Sequence, residues 1–382
     1  MNNYLIVLTS LELGGAERQA INFADFLLKS GQHVDVIGFC NPGKIVEMCQ
    51  DKGIPCRLIE DRRGGFSRKI SHKLNSILGR DQEIENYKFL SRMLAKYIKD
   101  NKVDFCISYC SPANTISCYA KKYYPNCAYT WYQRDDGLCY EPFAIRNKAI
   151  HLADHVLSNG ISGYNWISEN HKIESKVIHN GVVKGIPRKS VDDWRNQLGI
   201  TKNQVVCTMI AHFSKVKKNH YQNVNVFKKL VDDGYKDFVM LFAGRPDDTD
   251  YYNDIKTFVI DNHLEDYVKF LGEVDDIAGL LTITDICFFG TNREGNPNGI
   301  IEAAMLGLPV VASDLPEIRE VVAEENYKYL FKNGDYESAE KNLIELGCNH
   351  ELRIKSGKLN ADKANADFSV EKNFEELMES IK

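Results

Sequence analysis

The chain has 382 residues, too many for one ordinary core and enough for two domains of roughly 150–200 residues each. With 43% hydrophobic, 26% charged and 10% aromatic residues, it has the profile of a globular protein and not of a disordered or fibrous one. A net charge of −5 excludes a general nucleic-acid-binding surface, so any basic site must be local. The 11 Cys are odd in number and lack paired CxxC spacing, which argues against a secreted disulfide framework and for a reducing cytosol. The opening residues lack a basic, then apolar, signal pattern, and no run approaches 18 apolar residues, so a cytoplasmic protein without a membrane span is expected.

Tyr4–Leu8 is an apolar run of the buried-strand type, followed by the loop Leu11–Gly15. Ala16–Ser30 places Ile21, Ala24 and Leu28 on one helical face beside Phe23 and Leu27, with Gly31 as its stop. His33–Phe39 is the next strand, and a strand–helix–strand unit of this length implies parallel strands with a right-handed crossover. Short strands are predicted again at Val103–Ser108, Ala128–Tyr132 and His155–Ser158. Near 176–186 a strand ends in the turn dipeptide Asn180-Gly181, and Pro187 leads into a polar helix. The alternation restarts with strands Val205–His212, Phe238–Gly244, Val268–Leu271, Ile286–Phe289, Val310–Ala312 and Tyr329–Leu330, and helices near Gln222–Asp232 and Tyr251–Asn262. Phe368–Ile381 carries Phe374, Leu377 and Ile381 at helical spacing and reads as a closing helix. The expected fold class is α/β, with doubly wound domains at 1–182 and 183–366 and the closing helix at 367–382. Two such domains would place a cleft between the carboxyl ends of two parallel sheets, the edge where open α/β sheets bind ligands.

The stretch Thr291–Asp314 is the most informative. It follows a strand and opens a helix, with Asn296 predicted as N-cap and Pro297 as first helical residue. Gly295 and Gly299 leave the backbone uncovered, so N–H groups at this helix end can face an anion. Glu294 lies just outside the helix and Glu302 about a turn and a half inside it, a Glu-x7-Glu spacing. Carboxylates are acceptors only, which suits hydroxyl-rich ligands such as a sugar ring and a ribose. Gly14-Gly15 forms a turn between strand and helix where bare backbone can approach a diphosphate, and it is not a GxGxxG dinucleotide loop. Lys215, Lys217 and Lys218 make a basic loop after Val205–His212, able to stabilise negative charge on a ligand.

These motifs together resemble the retaining glycosyltransferases of the GT-B fold, family 4 (glycosyl transferases group 1). The resemblance rests on Glu294 to Glu302 with the Pro309-Val310-Val311 strand after it, on Gly14-Gly15-Ala16-Glu17-Arg18, and on Ile178-His179-Asn180-Gly181-Val182. Lys217-Lys218-Asn219-His220, Phe270-Leu271-Gly272 and Asn333-Gly334-Asp335 extend it over nearly the whole chain. It implies two Rossmann-like domains facing each other across a cleft, the first on the acceptor side and the second binding a nucleotide-sugar. It further implies sugar transfer with retention from a nucleotide-sugar, expected to be a UDP-sugar, to a saccharide or lipid-linked saccharide in cell-surface polysaccharide or glycolipid synthesis. No metal or other cofactor and no nucleic-acid partner is expected. Lys218, with Lys217 close behind, would stabilise the diphosphate, Glu294 would bind donor-sugar hydroxyls and Glu302 the ribose. Gly14, Gly15, His212, Lys215, Gly295, Asn296, Asn298, Gly299 and Ile300 complete the expected donor-binding set.

The sequence departs from the family twice. The Arg that relatives carry upstream of the lysine is missing from Ala211-His212-Phe213-Ser214-Lys215, leaving His212 or Lys215 to substitute. The His that many relatives place beside the reacting sugar is missing from 131–137. There Gln133, Arg134 or Asp135 would hydrogen-bond acceptor or donor sugar, and Trp131 and Tyr132 would stack on a sugar face. Two competitors stay open: a GT-B sugar-nucleotide epimerase, which shares the two-domain architecture, and a catalytically silent GT-B scaffold subunit, which these departures make conceivable.

Asp248-Thr249-Asp250 reads as a chance DxD in an acidic loop, and His151-x3-His155 lacks the acid of a zinc motif. Residues 62–80 hold Arg62, Arg63, Arg68, Lys69, Lys73 and Arg80, no acid, and Phe66, Ile70 and Leu74 at helical spacing. A basic amphipathic segment of this kind predicts peripheral contact with the inner face of the membrane.

Overall fold

A computed structural model describes residues 1–59, 81–137 and 143–382, and the basic segment 62–80 lies outside the described residues. The chain divides into two compact units, Met1–Gly181 together with Glu371–Lys382, and Val182–Val370.

In the first unit, β1 (Asn3–Ser10), β2 (His33–Cys40), β3 (Cys56–Leu58), β4 (Phe105–Tyr109), β5 (Ala128–Gln133), β6 (His155–Ser158) and β7 (Lys176–Val177) form a parallel sheet. Its order is β3-β2-β1-β4-β5-β6-β7, so strand order switches between β1 and β4. The helices are α1 (Gly15–Lys29), α2 (Lys44–Asp51), α3 (Gln82–Asp100), α4 (Ser111–Ala120), α5 (Phe143–Ile150) and α6 (Ile161–His171). Covered on both faces, the central strands are apolar without alternation, and Tyr4–Leu8 is buried throughout. α1 buries Ala20, Ile21, Phe23, Ala24 and Leu27. Leu28 is exposed, because the buried stripe centres on Phe23 and Leu27 and leaves it at the solvent margin. The strand expected to end at Asn180-Gly181 is only two residues long. Neither Asn180 nor Gly181 has a positive φ, so this dipeptide is not a left-handed turn, and Asn180 is buried as a hydrogen-bonding anchor.

In the second unit, β8 (Val205–Ile210), β9 (Phe238–Ala243), β10 (Val268–Gly272), β11 (Ile286–Phe289), β12 (Val310–Ser313) and β13 (Leu330–Phe331) form a parallel sheet of order β10-β9-β8-β11-β12-β13. The helices are α7 (Val191–Leu198), α8 (His220–Asp232), α9 (Thr249–Asp261), α10 (Ile277–Thr282), α11 (Asn298–Met305), α12 (Pro316–Val321), α13 (Tyr336–Gly347) and α14 (His350–Asp367). α7 starts cleanly because Ser190 and Asp193 form a reciprocal capping box. The closing helix is α15 (Val370–Ser380), and it belongs to the first unit. Its Phe374 ring packs 5.3 Å from Phe23 and 5.7 Å from Phe26, and Leu377 and Ile381 are buried with it.

Candidate active site

In the second sheet the switch point lies between β8 and β11, and the loops leaving those two strands are joined there through their main chains. Asn219 N–H donates to the Gly290 carbonyl at 3.0 Å, and Asn292 and Arg293 donate to the Lys217 carbonyl at 2.9 and 3.2 Å. The Thr291 hydroxyl oxygen lies 2.9 Å from the same carbonyl. This lattice places the Lys218 ammonium in an ion pair with Glu294, whose Oε1 also accepts from the Thr291 hydroxyl at 2.7 Å. The side chains are only 17% and 7% exposed, so the pair is well removed from water, and the ammonium lies 5.1 Å from the centroid of the Phe289 ring. Behind it, Thr291 N–H donates to Ser313 Oγ at 2.9 Å, Ser313 Oγ donates to Asn333 Oδ1 at 2.7 Å, and Asn333 Nδ2 donates to the Thr291 carbonyl at 2.9 Å. The ends of β11, β12 and β13 are thereby tied into one support for the acidic loop.

Lys215 and Lys217 are exposed, and Lys217 contributes its carbonyl to the lattice. His220 is fully buried and stacks on Phe213 with ring centroids 4.0 Å apart. Burial, reinforced by the Lys218 charge, pushes its pKa down to about 3, so the ring beside the lysine loop is neutral.

His212, which follows β8, lies beside an arginine from the neighbouring strand end. Arg245, just past the end of β9, donates through Nε to Asp247 at 2.7 Å, and His212 Nδ1 lies 3.2 Å from the same carboxylate. Phe213 N–H donates to the Arg245 carbonyl at 2.9 Å, which fixes the two loops side by side. The signal available in the sequence is a Gly-Arg-Pro step at the carboxyl end of a predicted strand. Burial alone would raise the Asp247 pKa, but hydrogen bonds from His212 and Arg245 outweigh it and bring the group to about 2. A pKa depressed below its ordinary 3.8 stabilises the fold above about pH 4, and that contribution is lost as pH falls through about 2. Urea unfolding should therefore show the stability difference between wild type and Asp247→Asn shrinking from pH 5 to pH 2; a difference constant across that range would refute the assignment.

Helix α11 begins at Asn298, one residue later than the predicted start at Pro297. Pro297 has ψ 92°, outside the helical range, so it occupies the cap position and Asn296 is buried in the preceding loop. Glu302 consequently sits about one turn inside the helix, half-buried. Gly299 is needed for packing: a Cβ there would lie 2.5 Å from the Ile210 carbonyl oxygen, so its absence lets α11 close on the end of β8. Ile300 is a core residue whose N–H donates to the Pro297 carbonyl at 3.0 Å, which removes both its side chain and its N–H from the expected donor-binding set. Gly295 and Asn298 are half-buried at the mouth of this helix. Asp248 caps α9 by accepting from Tyr251 N–H at 3.0 Å, which gives the DxD triplet a structural role. Among the described residues no group of three His, Cys, Asp or Glu could hold a metal ion.

In the first unit, Gly14 occupies the cap position of α1, which starts at Gly15 and has no side-chain cap. Trp131 is fully buried, and its indole N–H donates to Gln133 Oε1 at 2.9 Å, so its ring has no face left for a sugar. Gln133 and Tyr132 are likewise buried, because helices cover both faces of β5; these three are core and not sugar contacts. Asp135 accepts from Gly137 N–H at 2.9 Å and from Gln133 Nε2, closing the turn after β5. Arg134 is half-buried at that strand end, donating to Asn180 Oδ1, with its guanidinium over the rings of Tyr109 at 5.0 Å and Tyr132 at 4.8 Å.

Residues 190–360 match the family Glycosyl transferases group 1, a span that contains Lys218, Arg245, Glu294 and Glu302. The matched span is less than half of this chain. Over 215 residues it is 25% identical to the N-acetyl-alpha-D-glucosaminyl L-malate synthase of Bacillus anthracis, covering 55% of each chain. Over 185 residues it is 28% identical to the UDP-Gal:alpha-D-GlcNAc-diphosphoundecaprenol alpha-1,3-galactosyltransferase of Escherichia coli, covering 47% of each. The chain thus spans about half the length of the curated relatives it matches. Anabaena HepE, crystallised in complex with UDP and glucose, superposes with a TM-score of 0.82 at 17% identity over 100% of this chain and 99% of that one. The fold is therefore GT-B, two Rossmann-like α/β domains each built on a parallel sheet.

Proposed function

We propose that the protein is a retaining, metal-independent glycosyltransferase that moves a sugar from a UDP-sugar to a saccharide or lipid-linked saccharide in cell-surface polysaccharide or glycolipid synthesis. The observation that carries this reading is the largely desolvated Lys218–Glu294 pair at the switch point of a glycosyl transferases group 1 domain. The UDP and glucose of the HepE complex support the donor class, and the galactosyltransferase's diphosphoundecaprenol-linked sugar supports the acceptor class. Lys218, with Arg245 on the neighbouring strand end, supplies positive charge for the leaving diphosphate, and Glu294 accepts from hydroxyls of the donor sugar. Glu302 accepts from the ribose. The sugar–phosphate C–O bond breaks through an oxocarbenium-like transition state while the acceptor oxygen bonds to the same carbon on the same face. The acceptor proton passes to the leaving diphosphate, so no protein carboxylate acts as general base and the two-carboxylate geometry of hydrolases is not needed.

The test is transfer by the full chain from UDP-glucose, UDP-galactose and UDP-N-acetylglucosamine to a glycolipid extract, with and without EDTA, the anomeric outcome read by proton NMR. Retained configuration and EDTA-insensitive turnover are expected. An inverted product, or loss of turnover with EDTA, would overturn the corresponding part of the proposal. Turnover of no donor, with no thermal stabilisation by UDP, would favour a scaffold subunit. Among the described residues no helix is long and apolar enough to cross a membrane. We place the protein in the cytoplasm with residues 62–80 against the membrane's inner face, and co-sedimentation with vesicles unaffected by anionic lipid would remove that contact.

A further inference from the structure

We infer that the first unit contains an oxyanion subsite centred on Arg134, and that the acceptor therefore carries a phosphate or carboxylate group. The inference rests on the reading of this unit as the acceptor side. Arg134 is held by neutral groups: its guanidinium lies over Tyr109 and Tyr132, and it donates to the Asn180 side-chain oxygen. These partners are themselves fixed. Tyr109, Tyr132 and Asn180 are each 1% exposed, the Tyr132 hydroxyl donates to the Ile178 carbonyl at 2.6 Å, and the Asn180 carbonyl accepts from Asn373 at 3.2 Å. Among the described residues no carboxylate lies within ion-pair distance of Arg134, although Asp135 is its neighbour in sequence, with its carboxylate closing the local turn. A guanidinium cannot shed its proton, so the positive charge persists in a half-buried position.

Unmet hydrogen-bonding capacity remains on this side chain and beyond the ends of the two neighbouring strands. Arg134 Nε is buried with no acceptor among the described residues. β5 lies between β4 and β6, and the residues that follow those strands include Ser111 and Asn159, 0% and 3% exposed, whose Oγ and Oδ1 have no partner among the described residues. The register brings these strand ends together: Tyr109 pairs with Tyr132, Gln133 pairs with Ser158, and Asn159 N–H donates to the Gln133 carbonyl at 3.0 Å. Three adjacent strand ends thus offer a fixed cation, a hydroxyl and an amide oxygen. An oxyanion answers the guanidinium and the Ser111 hydroxyl, and a ligand hydroxyl answers Asn159, a pattern that fits a polyol bearing an acidic group.

The test is calorimetric titration of the full chain, first with UDP and then, at saturating UDP, with inorganic phosphate or with succinate. At least one oxyanion should bind wild type, with affinity about tenfold or more weaker in Arg134→Gln and partly restored in Arg134→Lys. Ser111→Ala should weaken it by about two- to fivefold, and this milder variant serves if Arg134→Gln unfolds. The preferred anion, phosphate or succinate, identifies the class of acidic group. Binding that survives both Arg134→Gln and Ser111→Ala, no binding by wild type, or abolition of oxyanion binding by UDP would each overturn the subsite. Failure of UDP itself to bind would instead strike the donor reading, and the Arg134 comparison would still be legible in titrations without UDP.

Discussion

The Lys218→Ala variant is expected to lose about 10²- to 10³-fold in turnover, the usual effect of deleting one preorganised group that stabilises developing charge. The loss should fall mainly on kcat, because the ammonium gains most when the bond to the leaving diphosphate is breaking. The geometry adds a second expectation. Lys218 and Glu294 share one ion pair with little access to water, so Glu294→Ala leaves the ammonium without that carboxylate, and Lys218→Ala leaves the carboxylate with the Thr291 hydroxyl. Removing both should therefore harm turnover about as much as removing either one, the non-additivity of groups that act as a unit. Steady-state assays of the two single variants and the double variant decide the matter. A loss below about fivefold in Lys218→Ala would take this side chain out of the chemistry.

The Gly299→Ala variant should destabilise the second unit by about 1–3 kcal/mol, the range for forcing an extra carbon into a fixed contact. Helix propensity alone predicts the opposite sign, since Ala is favoured over Gly by about 1 kcal/mol inside a helix. Sterics dominate because the added Cβ would meet the Ile210 main-chain oxygen at 2.5 Å and the Ile210 Cβ at 3.3 Å, and neither α11 nor β8 can yield alone. Gly307 provides the control. It has φ +82° with open space around it, so Gly307→Ala carries left-handed strain of about 1–2 kcal/mol and no clash. Urea unfolding of both variants should rank Gly299→Ala as the more damaging, with reduced turnover as well because α11 carries Glu302. The reverse ranking would mean that the approach of α11 to β8 is looser than described.

Much of the scaffold was legible because its strands are short apolar runs between turn residues, and the starts of β2, β8 and β9 fall where the pattern places them. β3 was missed because three residues at a sheet edge carry no periodicity. α4 was missed for a different reason: nearly every residue from Ser111 to Ala120 is buried, so it shows no polar face for a helical period to reveal. The same double coverage explains Trp131, since alternation along a strand separates inside from outside only when one face meets water. In the site, Lys218 and Glu294 were recognisable from local motifs, each beside a strand end. Arg245 was not, because its link to His212 runs between neighbouring strands through Asp247 and leaves no trace in either local pattern. The start of α11 was misplaced because a proline's fixed φ suits both the cap and the first helical position, and only ψ separates them.

The membership of α15 bears on the order in which the molecule can be made. Val182–Val370 is in effect an insertion within the first unit, since Phe374, Leu377 and Ile381 seal an apolar surface that includes Phe23 and Phe26. During synthesis the inserted unit has all its strands and helices available before those residues leave the ribosome. The half that is translated first is thus the half that finishes folding last, and until then it presents aromatic surface that the nascent chain must keep from aggregating.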